Sequence, residues 1–436
     1  MRMVLFLLLN AVLFVRPEDL WPTIAGLRLY LVTILLCVLV NADRLAFALS
    51  APSLTRRPVD VCILGMWLAV GLSNLARMRI DVAVDWWGEF GKVVVYYFLF
   101  KVTLDTPQRF RMFLGWAVAL TAAAITAPLL NFYDIVTFDA IDIFTQSYND
   151  PASGESITVT RLAGVGIYGD PNDLCLLLVF GGMCCCYRAT TCAGWMGSIL
   201  WLLPLIPFGH AFLLTLSRGG VLGLLAGLAG ATLSRFGWVR AAPLVVVCFP
   251  ALLLAIGGRQ SDIGTGDTAH ERVMLWATGL GAWFGNPFFW LTGIGTDEYI
   301  EICPQVAHNS FVHAYVEVGL FGGGMFAAAF YLAGTGLWRV GRDLRRGAST
   351  PFTAALPFVF GMLTGYAAGA FSLSRSYVLP TYLTLALAQT YLSLAQPVPD
   401  PGDLVNTRWI KKFAMIALGG AAFVKFSTQI LGVLNG

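Results

Sequence analysis

The feature that most constrains this chain is a succession of apolar runs, each near the length of a membrane crossing, separated by short polar connections. A hydrocarbon core about 30 Å thick takes roughly 20 apolar residues per helical span. Runs of this kind are predicted at 1–15, 24–40, 58–74, 90–104, 110–130, 171–187, 196–214, 219–234, 240–257, 309–337, 352–371 and 378–395. Val61–Ser73 is apolar all round instead of alternating, so helices and not barrel strands are expected. With 57% apolar and 12% charged residues and a mean hydropathy of +0.73, a water-soluble domain of 436 residues is excluded. The expected fold is an all-α polytopic integral membrane protein of about 12 transmembrane helices.

Two ends of the chain need separate treatment. Met1–Val15 has no basic stretch beyond Arg2 and no small-residue cleavage site, so it reads as a retained helix and not a leader. Phe413–Leu434 is apolar but interrupted by Lys425, Ser427 and Gln429, and is expected to lie in the interface, with a thirteenth span as the alternative. The chain then divides into an N-terminal bundle, 1–257, a large outer loop, 258–308, C-terminal spans, 309–395, and a tail, 396–436.

Orientation follows from the basic residues, which gather on the cytoplasmic side of membrane proteins. The cluster Arg339, Arg342, Arg345 and Arg346 is the densest, and it sets the loops 131–170 and 258–308 on the outer face. Both loops are acidic. The first carries Asp134, Asp139, Asp142, Asp150, Glu155 and Asp170 against Arg161; the second carries Asp262, Asp267, Glu271, Asp297, Glu298 and Glu301 against Arg259 and Arg272. Outer arginines, Arg375 included, are therefore few, and those present are candidates for holding an anion. The net charge of +3 says little about partners, and no nucleic-acid partner is expected.

The nine cysteines lie mostly inside apolar runs, as at Cys37, Cys62, Cys175, Cys184, Cys185, Cys186 and Cys248, where a thiol acts as a small hydrophobe. No CxxC pair or Cys/His ligand spacing points to zinc, and no cofactor is expected.

The polar run from Gly257 to about Ala307, with the helix after it, carries His270, His308 and His313, three of the four histidines. His308 is read as opening that helix, with His308, Val312, Tyr315, Gly319 and Gly322 on one face and the two glycines admitting a close neighbour. An imidazole at the membrane boundary can take a proton from a hydroxyl at physiological pH; the alternative is an interfacial histidine capping a helix. Arg218 lies between two apolar spans, and its planar fork suits a phosphate, with Gly219 and Gly220 allowing close backbone approach to a bulky ligand. A snorkelling arginine paired with a carboxylate is the alternative. Arg272 begins a helix over 270–283, stopped by Asn286-Pro287, that suits the interface; with Arg218 it could clamp a diphosphate, or it pairs with Glu271 or Asp267. Arg161 precedes Gly169-Asp-Pro-Asn172, which reads as an Asx-capped helix start. His313 and Glu317, at i and i+4, read as a buried acid with its partner.

These residues together resemble the signature of the bacterial O-antigen ligase and polymerase superfamily. The pattern is His308-Asn309, nine residues, Gly319, two residues, Gly322; Leu216-Ser-Arg-Gly-Gly220; Arg272, Trp276, Asn286-Pro287 and Gly293-Ile-Gly295; and Arg161 with Gly169-Asp-Pro-Asn172. It covers positions 160–325 in the order expected. The resemblance implies a GT-C-like fold in the bacterial inner membrane, a periplasmic loop with short interfacial helices, and metal-independent, inverting glycosyl transfer from a glycan on undecaprenyl diphosphate. His308 would be the base, Arg218 and Arg272 would hold the diphosphate, and Arg161 and Asn309 would be auxiliary substrate contacts. The acceptor is lipid A core in the ligases, another glycan in the polymerases and a protein in a third branch; the ligase is favoured. A transporter or flippase is the reading from a different class, but no internal repeat or midplane site supports it.

Overall fold

The computed structural model of the chain describes residues 1–138, 141, 144–149, 156–240, 242–243, 246, 267–303, 305–347, 352–396 and 405–434. Most are helical. Among the described residues, seven helices are long and apolar enough to cross a membrane: Pro58–Ala76, Pro107–Phe132, Pro171–Thr191, Trp195–Thr215, Arg218–Phe236, Ser310–Arg345 and Thr353–Ala370. Leu29–Val40 with Ala42–Ala48 makes an eighth if the two are one bent span. The protein is thus a polytopic, mostly helical membrane protein.

The other expected runs differ for identifiable reasons. Arg2–Val15 and Leu379–Ala395 are helices of 14 and 17 residues, short for a full crossing. Ile80–Thr103 is one helix of 24 residues, but its stretch 81–92 carries Asp81, Asp85, Glu89 and Lys92. Most of the run at 240–257 lies outside the described residues, as do Asp139, Asp142, Asp150, Glu155, Arg259, Asp262 and Cys248. Thr407–Leu434 is an unbroken helix of 28 residues packed along Ser310–Arg345.

Among the described residues the fold departs from purely α at one place. Phe144–Asn149 and Ser156–Arg161 pair as an antiparallel hairpin, with Phe144 opposite Arg161. The second strand alternates Ile157 and Val159 with Thr158 and Thr160, a period of two that favours a strand.

The chain packs as two compact units that interleave along the sequence, whereas the stretches expected from sequence are consecutive. The first comprises Met1–Asn41, Thr103–Leu252 and Phe352–Gly365; the second comprises Ala42–Val102, Leu253–Pro351 and Tyr366–Gly436.

The hub of the first unit is Pro171–Thr191, flanked by Pro107–Phe132, Trp195–Leu202, Leu205–Thr215 and Arg218–Phe236. Its start is set locally. Asp170 caps it by accepting from the Asn172 N–H at 2.7 Å, and Pro171 occupies a first-turn position where no N–H is needed. Gly220 sits so close to this hub that a Cβ would strike Cys175 Sγ at 1.9 Å. The near approach predicted at Gly220 is thus helix against helix, not backbone against a ligand.

The hub of the second unit is Ser310–Arg345, packed on Pro58–Ala76, Asp267–Gly285, Leu379–Ala395 and Thr407–Leu434. It is broken at Val318 and Gly319, where φ is +67° and ψ −168° at the glycine. Gly293-Ile294-Gly295 crosses the break, with φ +81° and +105° at its two glycines: the Ile294 N–H donates to Val316 O at 2.9 Å and the Gly295 N–H to Glu317 O at 3.0 Å. Ser73 Oγ donates to the same Glu317 carbonyl at 2.6 Å. Carbonyls released by the break are thereby satisfied inside the protein, as apolar surroundings require. Any side chain at Gly319 would meet Gly293 N and Leu291 O at 2.4 Å. Hence Gly319 is a break in the helix and not part of one continuous small-residue face. Gly322 keeps its predicted role, since it packs on Ala69 of Pro58–Ala76.

Candidate functional site

The predicted site residues fall in two corners, one in each unit. In the first unit the Arg161 and Asn172 motif meets the Leu216–Gly220 motif. Arg161 Nε donates to Thr215 O at 2.8 Å and Nη2 to Asn172 Oδ1 at 3.3 Å. Ser217 Oγ donates to Asn172 Oδ1 at 2.6 Å and accepts from the Gly220 N–H at 2.9 Å, capping Arg218–Phe236. Arg161 is therefore a strut that fastens the hairpin end to the turn at 215–217. Arg218 is the first residue of the helix, and it is exposed. A helix N-terminus presents N–H groups and a positive dipole end, so a guanidinium there adds to a place already suited to phosphate.

In the second unit the corner forms at the start of Ser310–Arg345. His308 does not open this helix. Asn309 is the cap, buried, with Oδ1 accepting from Phe311 N at 3.0 Å and Val312 N at 3.2 Å. That explains Asn309 as a structural residue, because its side-chain oxygen is committed to the backbone. His308 stands just outside the helix with φ +47°, half-buried, its Nε2 3.2 Å from Gln305 Oε1.

Arg272 is carried by Asp267–Gly285, a helix longer than the predicted 270–283 and followed by Asn286-Pro287 as expected. One turn after Arg272, Trp276 Nε1 donates to Ala307 O, the residue preceding His308. The same helix is pinned by Tyr299, whose hydroxyl donates to Leu275 O at 2.7 Å, and by Trp283 packed on Tyr315 with ring centroids 5.6 Å apart. Burial pushes the Tyr299 phenol well above its ordinary range, so it remains a donor. Arg272 is exposed and its helix is locked to the backbone beside His308.

Arg375, counted among the few outer arginines but given no individual role by the sequence, belongs to this corner as well. Its backbone N–H donates to Ser310 Oγ at 2.9 Å, Ser310 Oγ donates to Leu373 O at 2.6 Å, and Ser376 Oγ donates to Ser310 O at 2.8 Å. Those bonds stitch the segment carrying Arg375 to the first turn after His308. A sequence signal existed: Leu373-Ser-Arg375 repeats the tripeptide Leu216-Ser-Arg218.

Below this corner, His313 Nε2 lies 3.2 Å from Glu317 Oε1, with the Glu317 side chain only 2% exposed. The predicted pairing of these two holds. Among the described residues, no three His, Cys, Asp or Glu side chains converge as a metal would need. The chain matches no family model and no curated protein, so the chemistry of these two corners is read from the residues themselves.

Proposed function

We propose that the protein is a membrane glycosyltransferase of the O-antigen ligase type, moving a glycan from undecaprenyl diphosphate to a hydroxyl of lipid A core. In the full reading about twelve spans lie in a bacterial inner membrane, with 258–308 on the periplasmic side. The observation that carries the proposal is the tie between Trp276 and Ala307, which sets the Arg272 helix beside His308. A base and a fixed positive charge within one corner are what transfer from a lipid diphosphate requires.

The acceptor hydroxyl gives its proton to the His308 imidazole as its oxygen bonds to the anomeric carbon. The bond from that carbon to the phosphate oxygen breaks, and the lipid diphosphate leaves with the electron pair and its added negative charge, inverting the centre. Arg272 stabilises the departing anion through a charge-assisted hydrogen bond to the phosphate. Arg218, at the N-terminus of its own helix, is assigned phosphate binding on the same chemistry. Polymerisation of repeat units is the second reading, because base and guanidinium serve any hydroxyl and the acceptor cleft alone differs.

The test is product analysis with purified protein, chelator and a lipid-diphosphate glycan, with and without lipid A core. Core-linked product only with acceptor is expected. Lengthened lipid-linked chains without acceptor would make the protein a polymerase. Turnover lost to chelator and restored by Mg²⁺ would overturn the metal-free mechanism.

A further inference from the structure

The far end of the second unit holds a feature that the transfer reaction does not use. A cavity of about 370 Å³ opens there, lined among others by Arg56, Arg57, Gln389, Phe47, Leu332 and Leu392. Leu332 lies 22 residues along the hub helix from Ser310, roughly 30 Å away at about 1.5 Å per residue. The helix then ends in the cluster Arg339, Arg342, Arg345 and Arg346, so the cavity sits at the arginine-rich end of the unit.

Its walls have two characters. Leu332 and Leu392 supply apolar surface, and Phe47, 75% exposed, adds a large and mostly uncovered apolar side chain to the lining. Arg56 and Arg57 supply charge. Among the described residues neither guanidinium has an ion pair or side-chain hydrogen bond. Asp60, one turn after Arg57, is not available, because Lys101 and the Tyr97 hydroxyl at 2.7 Å already hold its carboxylate. Gln389, only 6% exposed, adds a buried amide to the lining. Two uncommitted guanidiniums beside an apolar trough, on a membrane protein, complement an anion that carries a hydrocarbon chain.

We propose that this cavity binds an anionic phospholipid of the adjoining leaflet. The phosphate sits on Arg56 and Arg57, Gln389 bonds a head-group oxygen, and an acyl chain runs past Leu332 and Leu392 to Phe47. This site is independent of glycosyl transfer, and its test does not read transfer.

The experiment is native mass spectrometry of the full chain, released from nanodiscs holding equal phosphatidylglycerol and phosphatidylcholine. The wild type should retain one phosphatidylglycerol at about tenfold preference, unchanged by millimolar glycerol phosphate. The double variant Arg56→Gln/Arg57→Gln should bring the preference below threefold. Arg346→Gln, a basic residue away from the cavity lining, should leave it unchanged. If the double variant unfolds, Arg56→Gln alone, at an exposed position, should lower the preference at least threefold. Equal retention in wild type and the arginine variants overturns the proposal. So does equal loss in Arg346→Gln, which would mean diffuse attraction, and so does displacement by glycerol phosphate, which would mean a site for soluble phosphates.

Discussion

Two turns of this molecule share one design and differ in what they put into it. Leu216-Ser217-Arg218 and His308-Asn309-Ser310 each place a non-glycine residue in the left-handed region, φ +48° and +47°, then an N-cap, then the first residue of a long helix. In the first turn the left-handed position is an ordinary leucine, and the exposed charge comes one step after the cap. In the second, the left-handed residue is the histidine, and the residue after the cap, Ser310, is buried and bonded to Leu373, Arg375 and Ser376. A left-handed conformation costs an L-residue about 1–2 kcal/mol, so it persists only where the surroundings over-determine it. A phosphate holder needs donors and charge near a helix end and tolerates some latitude. A base needs its nitrogen fixed, and the second turn is the more tightly anchored of the two.

The largest effect expected from this contrast is on the rate. His308→Ala should lower transfer by about 10²–10⁴-fold, the usual contribution of a positioned base, with thermal unfolding near that of the wild type. Leu216→Ala, at the matching position of the other turn, should change transfer by less than about threefold on the same scale. Comparable losses in both variants would mean that the turn shape matters and the imidazole does not.

How far the sequence revealed these corners depended on whether the deciding interaction was local. The Asp170-Pro171-Asn172 cap was legible, because its bonds close within three residues. His308 was placed one cap too far into the helix, since histidine beside asparagine reads as a helix start until Asn309 is seen taking two N–H groups. Gly319 was read as a packing residue. Its true part in breaking the helix depends on Gly293–Gly295, more than twenty residues away in sequence, which no helical period can report. The hairpin at 144–161 was hidden inside an acidic loop despite its alternation, and the place of Arg375 beside the His308 turn was hidden despite the repeated Leu-Ser-Arg. The membrane helices were legible in part: apolar length marks them in the sequence, but among the described residues seven or eight meet it where about twelve were expected.

A middle-sized effect separates charge from geometry. Arg218→Lys keeps the positive charge but replaces a rigid fork by a point charge, and transfer should fall by about tenfold, or ~1.4 kcal/mol. Arg161→Lys should act instead on stability, because Arg161 spends its donors on Thr215 O and Asn172. Thermal unfolding should fall by several degrees for Arg161→Lys and remain unchanged for Arg218→Lys. Full activity in Arg218→Lys would remove Arg218 from phosphate binding and leave the first turn a purely structural motif.

The smallest expected effect probes the strain itself. Glycine removes the left-handed penalty of about 1–2 kcal/mol but adds about 0.5–1 kcal/mol of unfolded-chain entropy, so a net gain near 0.5 kcal/mol is expected at either turn. Leu216→Gly should unfold at slightly higher temperature and keep its activity, whereas His308→Gly should show the same gain with transfer lost. That pairing would mark His308 as a position where stability is given up for a fixed imidazole. A fall in stability for His308→Gly alone would point the other way. The imidazole, through Gln305 and its half-buried setting, would then be holding the turn in place, and the strain at that position would be compensated by the histidine itself.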